Sequence, residues 1–398
     1  MPTETSFDVA VVGAGPSGLV AAILLAEAGC RTALVAPETL AVDRRTTALL
    51  GASVKLLDRL GLLAQVAERG AGMHTMRLID DTGRLIRAPE VNFRAGEIGR
   101  EVFGYNIHNA VLTEILAARV AGLPLITRFA AKAVAATPGD SSIAIELDDG
   151  RTVTSALAVA ADGARSMLRQ AAGIGWTEWD YPQSAVVYDV THRHPHDGVS
   201  VEFHTRAGPF VLVPLPGNAS SVVLVETPDA AAALGALDDA AIGRETEQRA
   251  HSIFGPMIAA SPRQVFPLKG AKADRFGQAR VVLIGEAAHR FPPIGAQGLN
   301  LSLRDIGSLA EAIGAAKARG EDLGSDAVVA AYDRARRIDV RSRTFGVDVL
   351  DRALLADALP AQALRSLGLA AAARLAPIRQ LMMREGLAPS IGTPRMMR

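Results

Sequence analysis

The pattern of apolar positions at the start of the chain predicts a β-strand, a helix and a second β-strand. A short apolar run covers 7–12, residues at helical spacing follow over 17–28, and a second apolar run covers 31–35. Short apolar runs bounded by glycine are typical of strands that are buried in a parallel sheet. The chain is therefore predicted to open with a βαβ unit.

The following part of the chain mixes helical and strand patterns. Apolar residues at helical spacing predict helices over 46–60 and 108–121. Turn sequences that contain Gly, Pro and Asp separate short apolar runs, which predict strands at 132–137, 143–147 and 151–155. A run of small apolar residues at 156–161 predicts one more strand, which leads directly into Asp162 and Gly163.

The pattern changes over 176–270, where β-type runs alternate with Pro and Gly turns. This alternation predicts an antiparallel sheet, interrupted by one helix at about 238–254. A buried strand is predicted next at 281–284, followed by a long helix at about 295–318. The remaining residues, 325–398, are predicted to be helical with breaks at prolines.

Composition narrows the class of protein. The 42 Lys and Arg residues equal the 42 Asp and Glu residues, so no net field attracts nucleic acid, and no nucleic-acid partner is expected. The single cysteine, Cys30, is expected to be a small buried thiol, and no metal site is predicted. No uncharged apolar run reaches the roughly 18 residues of a membrane span, so we expect a cytoplasmic protein and leave peripheral membrane contact open.

A glycine-rich turn lies between the first predicted strand and the first predicted helix. Gly13, Gly15 and Gly18 have the spacing that allows a tight turn, close approach of the backbone to a pyrophosphate, and close helix–strand packing. Pro16 and Ser17 open the helix, whose first amide groups would face the phosphates. This turn therefore predicts a dinucleotide site.

The second half of that fingerprint departs from the usual pattern. An acidic residue at the end of the second strand normally binds a ribose hydroxyl. That position is Ala36 here, and Glu38 follows two residues later. Either Glu38 reaches back to the ribose, or the ribose is held by other groups.

Later segments carry residues that could line other parts of the same dinucleotide site. Asp162 and Gly163 end one predicted strand and Glu286 ends another, where a carboxylate can accept hydrogen bonds from a polyol such as the ribityl chain of a flavin. A second glycine-rich turn, 295–300, opens a helix whose positive end can stabilise negative charge on a reduced flavin ring. His289 is either a base or a structural residue that anchors this loop.

The charged sequence at 43–45 has two interpretations. Asp43 or Thr46 can cap the helix that is predicted to follow. Alternatively, Arg45 can project over a bound dinucleotide.

These segments together resemble the class A FAD-dependent aromatic hydroxylases, whose type case is para-hydroxybenzoate hydroxylase. The resemblance is carried by GAGPSG at 13–18, DRRTTAL at 43–49, ADGARS at 161–166 and GEAAHRFPPIGAQGLN at 285–300. Within that group, the chain looks most like the hydroxylases of ubiquinone biosynthesis, on the segments DRRTTALL at 43–50, FPPIGAQGLNLSLRD at 291–305 and MREGL at 383–387. The resemblance covers essentially the whole chain and is weakest over 176–270.

The resemblance implies a set of FAD-binding residues. It places the pyrophosphate on Gly13, Gly15, Pro16, Ser17 and Gly18, with Arg45 over the adenosine side. It places the ribityl hydroxyl on Glu286, and Asp162 with Gly163 near the joint between the flavin and NAD(P)H. The implied contacts of the flavin ring are Pro293, Gly295, Gly298, Leu299 and Asn300, with Asn109 as a further one. No catalytic residue is assigned, because Tyr188, His192 and His204 are interpreted as ordinary strand residues.

The resemblance and the element pattern together predict an α/β fold. A Rossmann-type FAD-binding domain is built from non-contiguous segments, a mostly antiparallel β-sheet substrate domain is inserted, and the C-terminal region is helical. The predicted segments are 1–75, 100–175 and 275–355 for the FAD-binding domain, 76–99 and 176–274 for the substrate domain, and 356–398 for the C-terminal helices.

The implied activity is a monooxygenase that hydroxylates the aromatic ring of a polyprenyl-phenol intermediate in ubiquinone biosynthesis. FAD is the implied cofactor, NAD(P)H is a transient co-substrate, and a flavin hydroperoxide formed with dioxygen delivers the oxygen atom. Two alternatives stay open within flavoenzymes, a hydroxylase of a small soluble aromatic and an isoprenoid reductase. A third is a non-catalytic flavin-fold subunit of a biosynthetic assembly.

The implied partners are a lipophilic aromatic substrate and other proteins of ubiquinone biosynthesis. The segment 374–398 carries five arginines and one acidic residue, with Leu, Ile and Met between them. Such a segment either lies on an anionic membrane or docks on its own domain or on a partner.

Overall fold

A computed structural model describes residues 6–38, 43–84, 87–292, 297–355, 359–387, 389 and 392–398. For 341–355 and 359–365 the description covers the backbone alone.

The strands and helices follow one another in a mixed order. The strands are β1 (Ser6–Val12), β2 (Thr32–Ala36), β3 (Thr46–Leu50), β4 (Ala71–Met73), β5 (Thr75–Asp80), β6 (Val91–Arg94), β7 (Gly104–His108), β8 (Ile126–Ala130), β9 (Ala133–Pro138), β10 (Ile143–Leu147), β11 (Thr152–Ala160), β12 (Trp176–His192), β13 (Val199–His204), β14 (Pro209–Leu215), β15 (Ala219–Glu226), β16 (Met257–Ala259), β17 (Gln264–Ala273), β18 (Gly277–Gln278), β19 (Val281–Leu283) and β20 (His289–Arg290). The helices are α1 (Pro16–Glu27), α2 (Gly51–Arg59), α3 (Leu63–Arg69), α4 (Asn109–Ala121), α5 (Met167–Ala171), α6 (Pro228–Gly235), α7 (Asp239–Arg249), α8 (Gln297–Ala318), α9 (Asp326–Leu355), α10 (Leu359–Arg374) and α11 (Ala376–Leu387).

The first sheet has a parallel core in the order β19-β11-β1-β2-β8. Strand β18 pairs antiparallel with β19, and the β9–β10 hairpin pairs with the first half of β11. Val11, Leu34 and Val159 are fully buried, as expected of parallel strands that are covered by helices. Because β1, β11 and β19 are neighbours and parallel, their carboxyl ends meet at one edge of the sheet.

The second sheet is mostly antiparallel, in the order β20-β17-β12-β15-β14-β13-β5-β6, with β16 paired to β12. One face packs against α6 and α7, where Tyr188, Phe210 and Ile242 belong to a single buried cluster. Strands β5 and β6 come from much earlier in the chain than the other strands of this sheet. The mixture of a parallel sheet, an antiparallel sheet and terminal helices confirms the predicted fold class. The division into domain segments stays a prediction.

A third, small sheet has the order β3-β7-β4 and contacts the second sheet, where Thr46 Oγ1 lies 3.0 Å from Ser221 Oγ. The helix predicted over 46–60 is wrong at its start, because Thr46–Leu50 form β3 and helix α2 begins only at Gly51. Strand β3 pairs with β7 in the register Thr46↔His108, and this long-range pairing outweighs the local helical spacing. Asp43 and Thr46 therefore do not cap a helix.

The remaining differences from prediction are smaller. The segments 151–155 and 156–161 form one continuous strand, β11. The helix predicted at 238–254 ends at Arg249, and helix α6 before it was missed, although Pro228 in its first turn is a starting signal. In the C-terminal region Pro360 and Pro377 lie in the first turns of α10 and α11, where proline is tolerated.

Candidate active site

The glycine-rich turn joins the end of β1 to α1, and two of its glycines are required by close packing. Gly13 has φ +112°, and a Cβ atom there would lie 2.2 Å from the carbonyl oxygen of Ala161. A Cβ atom on Gly18 would lie 1.9 Å from the carbonyl oxygen of Gly13. A Cβ atom on Gly15 would have no neighbour within 4 Å in the described part of the chain, so this side of the turn is not packed against those residues. The turn is therefore closely packed at Gly13 and Gly18 and open at Gly15.

The start of helix α1 is built to face an anion. Gly15 is the N-cap residue, no side chain of the described residues caps the helix, and no acidic residue lies in its first turn. Pro16 occupies the first helical position, and Ser17 lies beside Gly285 from the end of β19. Uncapped amide groups and the helix dipole together favour a negatively charged group here.

Asp162 follows β11 and has one carboxylate oxygen to spare. Its Oδ2 accepts hydrogen bonds from the backbone amides of Met167, at 2.8 Å, and Leu168, at 3.3 Å. Its Oδ1 is buried and has no hydrogen-bond partner among the residues that the structure describes. Burial raises the pKa of the Asp162 carboxyl, although Ser166 and the same two amides oppose the shift. An orphaned buried acceptor costs free energy that a ligand hydroxyl would offset.

Asp43 holds Arg45 and Asn109 together, and Arg45 in turn lies near Glu286. In the sequence, Asp43 was considered as a cap of a helix. Asp43 accepts two hydrogen bonds from the Arg45 guanidinium, at 2.9 and 2.8 Å, and one from Asn109 Nδ2 at 2.8 Å. Arg45 Nη1 lies 3.9 Å from Glu286 Oε1. Burial alone would raise the pKa of Asp43, but the bonds from Arg45 and Asn109 hold it below its ordinary value. Asp43 thus positions Arg45 at the edge where Glu286 also lies.

The second glycine-rich turn opens helix α8. Pro293 and Gly295 lie outside the described residues. Among the described residues, which exclude 293–296, a Cβ atom on Gly298 would meet no neighbour within 4 Å, and Leu299 is half-buried against the main core. The side chain of Asn300 is engaged within the protein: it accepts from the Leu50 amide at 2.9 Å and from Ser53 Oγ at 2.6 Å, and donates to Ala48 at 2.7 Å. Asn300 therefore ties α8 to the β3–α2 junction.

A buried ionic cluster holds the turn at Glu286 in place. His289 Nε2 lies 2.7 Å from Asp305 Oδ2, which also accepts a hydrogen bond from the Gly285 amide at 3.1 Å. Arg336 donates to Asp305 Oδ1 at 2.7 Å, and His289 and Asp305 are almost fully buried. Burial alone would raise the pKa of Asp305, but His289 and Arg336 lower it. The sequence left two interpretations of His289 open, a base or a structural residue. These contacts favour the structural residue that anchors the loop.

The end of β2, where an acidic residue usually binds a ribose hydroxyl, carries Ala36, as the sequence suggested. Ala36 ends β2, and Glu38 is exposed two residues later. Cys30 is fully buried, and burial raises the pKa of its thiol to about 11, as expected of a structural thiol. The residues present fit a flavin dinucleotide, because an uncapped helix start, an open Gly15 and the orphaned Asp162 oxygen lie along one sheet edge.

Comparison with known proteins decides the family. Residues 6–343 match the family described as FAD binding domain. The chain belongs to this family. A relative named ubiquinone hydroxylase UbiL, from Rhodospirillum rubrum, is 34% identical over 98% of this chain and 92% of its own length. The 3-demethoxyubiquinol 3-hydroxylase of Escherichia coli is 29% identical over 97% of this chain and 99% of its own length.

The fold is shared with solved structures. The p-nitrophenol 4-monooxygenase PnpA from Pseudomonas putida superposes with a TM-score of 0.80 at 22% identity, over 97% of this chain and 99% of that one. The predicted resemblance to ubiquinone-biosynthesis hydroxylases is confirmed, and so is the prediction of an FAD-dependent monooxygenase. Among the residues that the structure describes, no helix is long and apolar enough to cross a membrane.

Sequence reasoning missed one pair of side chains at this site, His108 and Asp189. His108 Nε2 lies 3.8 Å from Asp189 Oδ2. Their proximity depends on the docking of the small sheet against the second sheet, which no local pattern reveals. The residues interpreted as ordinary strand positions have internal contacts instead: Tyr188 with Thr246, His192 with Ser220, and His204 with Glu202.

Proposed function

We propose that this chain is an FAD-dependent monooxygenase that hydroxylates the aromatic ring of a polyprenyl-phenol intermediate in ubiquinone biosynthesis. The observation that carries the proposal is spatial: Thr46, which follows Arg45, is hydrogen-bonded to Ser221 of the second sheet, two residues from Val223 on its open apolar face. The names of the two relatives support the choice of substrate class. NAD(P)H is the proposed reductant.

The apolar face belongs to central strands of the second sheet. Val187, Val223 and Val211 stand in one row across β12, β15 and β14. All are half-buried, whereas the alternate residues on the other face are buried under α6 and α7. A row of valines excludes water and can hold an aromatic ring and the start of a prenyl chain.

The chain's own groups bind and orient the cofactor. Bound FAD supplies the redox chemistry with dioxygen and the reductant. We assign the pyrophosphate to the start of α1 at Gly15, and a sugar or ribityl hydroxyl to the free Asp162 Oδ1. We further assign neutralisation of phosphate charge to Arg45, which Asp43 fixes, and stabilisation of negative charge on the ring to the start of α8 at Gly298.

The proposal is tested with purified, FAD-loaded protein. The protein is mixed with a short-chain polyprenyl-phenol, NAD(P)H and dioxygen, and the products are analysed by mass spectrometry. The expected result is one product heavier by one oxygen atom, with NAD(P)H oxidised in equal amount. Oxygen uptake only with small soluble phenols would move the assignment to that class, and no binding of FAD would favour a non-catalytic subunit.

We also propose that the C-terminal helices contact an anionic membrane surface, from which a lipophilic substrate is taken. Large apolar side chains are exposed on α10 and α11: Leu367, Leu375, Ile378, Leu381 and Met382. Arg374 and Arg384 are exposed beside them, whereas Met383 and Leu387 on the other side of α11 are buried. Exposed apolar and basic residues on one helix surface are typical of interfacial binding.

The membrane proposal predicts a specific loss. The double substitution Leu381→Ser and Met382→Ser should reduce sedimentation with phosphatidylglycerol vesicles several-fold without a change in unfolding temperature. Val134→Ser is the matched control, because Val134 is 49% exposed on β9. Equal sedimentation of all three proteins, or docking of the helices on other biosynthetic proteins without any vesicle binding, would contradict the proposal.

A further inference from the structure

The carboxylate of Asp189 lies where the second sheet meets the small sheet. Asp189 pairs with Ser221 in the β12–β15 register, and Ser221 Oγ lies 3.0 Å from Thr46 Oγ1. His108 Nε2 lies 3.8 Å from the carboxylate. Thr46 and His108 are themselves partners across β3 and β7, so Asp189 stands against one rung of the small sheet.

That rung adjoins the proposed flavin site. Arg45 directly precedes Thr46, and Asn109 directly follows His108. Arg45 and Asn109 are both hydrogen-bonded to Asp43. His108, which faces Asp189, and Thr46, which bonds Ser221 beside it, therefore each lie one residue along the chain from a residue that is implied to contact the cofactor.

Asp189 also borders the valine row. Val187 precedes it by two positions on β12, so the two side chains share the face that is not covered by α6 and α7. The Asp189 side chain is 14% exposed, so it keeps a small opening toward this space. An aromatic ring on the valines would place its substituents beside the carboxylate.

Resting on the proposed function, we propose that Asp189 accepts the hydroxyl proton of the phenol substrate, with His108 as the residue that positions and tunes it. The proton moves from the phenol oxygen to an Asp189 carboxylate oxygen, and the electron pair of the broken O–H bond stays on the phenol oxygen. The proton returns to the oxygen when the product leaves. Increased electron density on the oxygen activates the ring toward an electrophilic oxygen atom.

The electrostatics of Asp189 suit this role. Burial raises the pKa of Asp189, and His108, Ser221 and Ser261 oppose the shift. Among the described groups shown against this carboxylate, Ser221 on β15 and Ser261 present hydroxyls, and β7 presents the imidazole of His108. A carboxyl with a raised pKa is a better proton acceptor for a phenol than an exposed one.

A second carboxylate–histidine pair on the same sheet is a matched control. Glu202 lies on β13, beyond the valine row and opposite its last member Val211. It lies 3.0 Å from His204 Nε2. It is three strands from β12, roughly 14 Å at the usual strand spacing. Glu202 makes no contact with the small sheet comparable to that of Asp189 in the part of the chain that the structure describes.

The first test does not need turnover. FAD-loaded protein without NAD(P)H is titrated with pH in the presence of 2-prenyl-4-nitrophenol, whose phenolate is detected by its absorbance. In the wild type the bound phenol and Asp189 share one proton, so the probe should ionise at a higher pH when bound than when free. Asp189→Asn should abolish that shift and Glu202→Gln should keep it.

The second test is the pH profile of hydroxylation. Asp189→Asn should lower the rate about 10²- to 10⁴-fold and remove the acidic limb of the profile. His108→Gln should move that limb to higher pH, because protonated His108 lowers the pKa of Asp189. FAD affinity, measured by flavin fluorescence, should remain unchanged in both variants.

The outcomes separate the two proposals. An unchanged probe shift and acidic limb in Asp189→Asn overturn the role of Asp189, as does loss of the shift in Glu202→Gln instead. If Asp189→Asn does not fold, His108→Gln decides, and an unmoved acidic limb overturns the role. A wild-type protein that neither binds nor hydroxylates prenylated phenols would instead contradict the proposed function itself.

Discussion

At the scale of single residues, Gly15 separates cofactor binding from stability. Its Cβ position meets no atom of the described residues within 4 Å, so Gly15→Ala should cost at most about 1 kcal/mol as a poorer N-cap. The added methyl group would stand in the space assigned to the pyrophosphate. We expect FAD affinity to fall at least about tenfold, which corresponds to 1.4 kcal/mol.

Gly96→Ala is the control for this prediction, because its Cβ position also meets no atom within 4 Å. FAD titration followed by flavin fluorescence measures the affinity, and thermal unfolding measures the stability. Unchanged FAD affinity in Gly15→Ala would contradict the assignment of the pyrophosphate to this turn.

The residues that were predictable from sequence are those with a local cause. Gly13 and Gly18 stand in a strand–turn–helix pattern that has few alternatives. Asp43 was considered, like Thr46, as a cap of a helix in one of two interpretations, because the strand β3 that follows exists only through pairing with β7. His108 and Asp189 are 81 positions apart, and no local signal brings them together. Long-range strand pairing is the step that the sequence does not reveal.

At the scale of elements, the cluster around Asp305 fixes helices α8 and α9 to the turn at Gly285. Asp305 is fully buried and contacts His289, Arg336 and the Gly285 amide. Asp305→Asn would leave Arg336 without part of its buried counter-charge, so we expect a loss of about 3–5 kcal/mol in the free energy of unfolding. Asp149→Asn is the control, since Asp149 pairs with Arg151 at the surface, and no measurable loss is expected there.

The same cluster predicts a pH dependence with a definite sign. The folded-state pKa of Asp305 lies below its unfolded value, so its contribution is fully present above the unfolded pKa of about 3.9. That contribution is lost as the pH falls from there through the folded-state pKa. Denaturant unfolding at a series of acidic pH values should show a steeper decline for wild type than for Asp305→Asn. Parallel declines would refute the assignment of this pKa shift to Asp305.

At the scale of the whole molecule, the proposed flavin site is assembled from segments that are far apart in sequence. The turn at Gly15, Arg45, Asp162 and Glu286 meet only in the folded chain. FAD therefore binds the folded state and not the unfolded chain, and at 100 times its Kd it should add about 2.7 kcal/mol of stability. For a chain of 398 residues this corresponds to a rise in Tm of roughly 3 °C.

Comparison of the rise in Tm caused by FAD and by riboflavin tests which parts of the site bind the ligand. Riboflavin lacks the pyrophosphate, so it cannot use the start of α1 and should raise Tm less than FAD at the same concentration. In Gly15→Ala the difference between FAD and riboflavin should shrink, because the lost contact is the one that distinguishes the two ligands. Equal shifts by FAD and riboflavin in the wild type would mean that the α1 turn holds no phosphate, and the glycine pattern would then be explained by its packing against Ala161 alone.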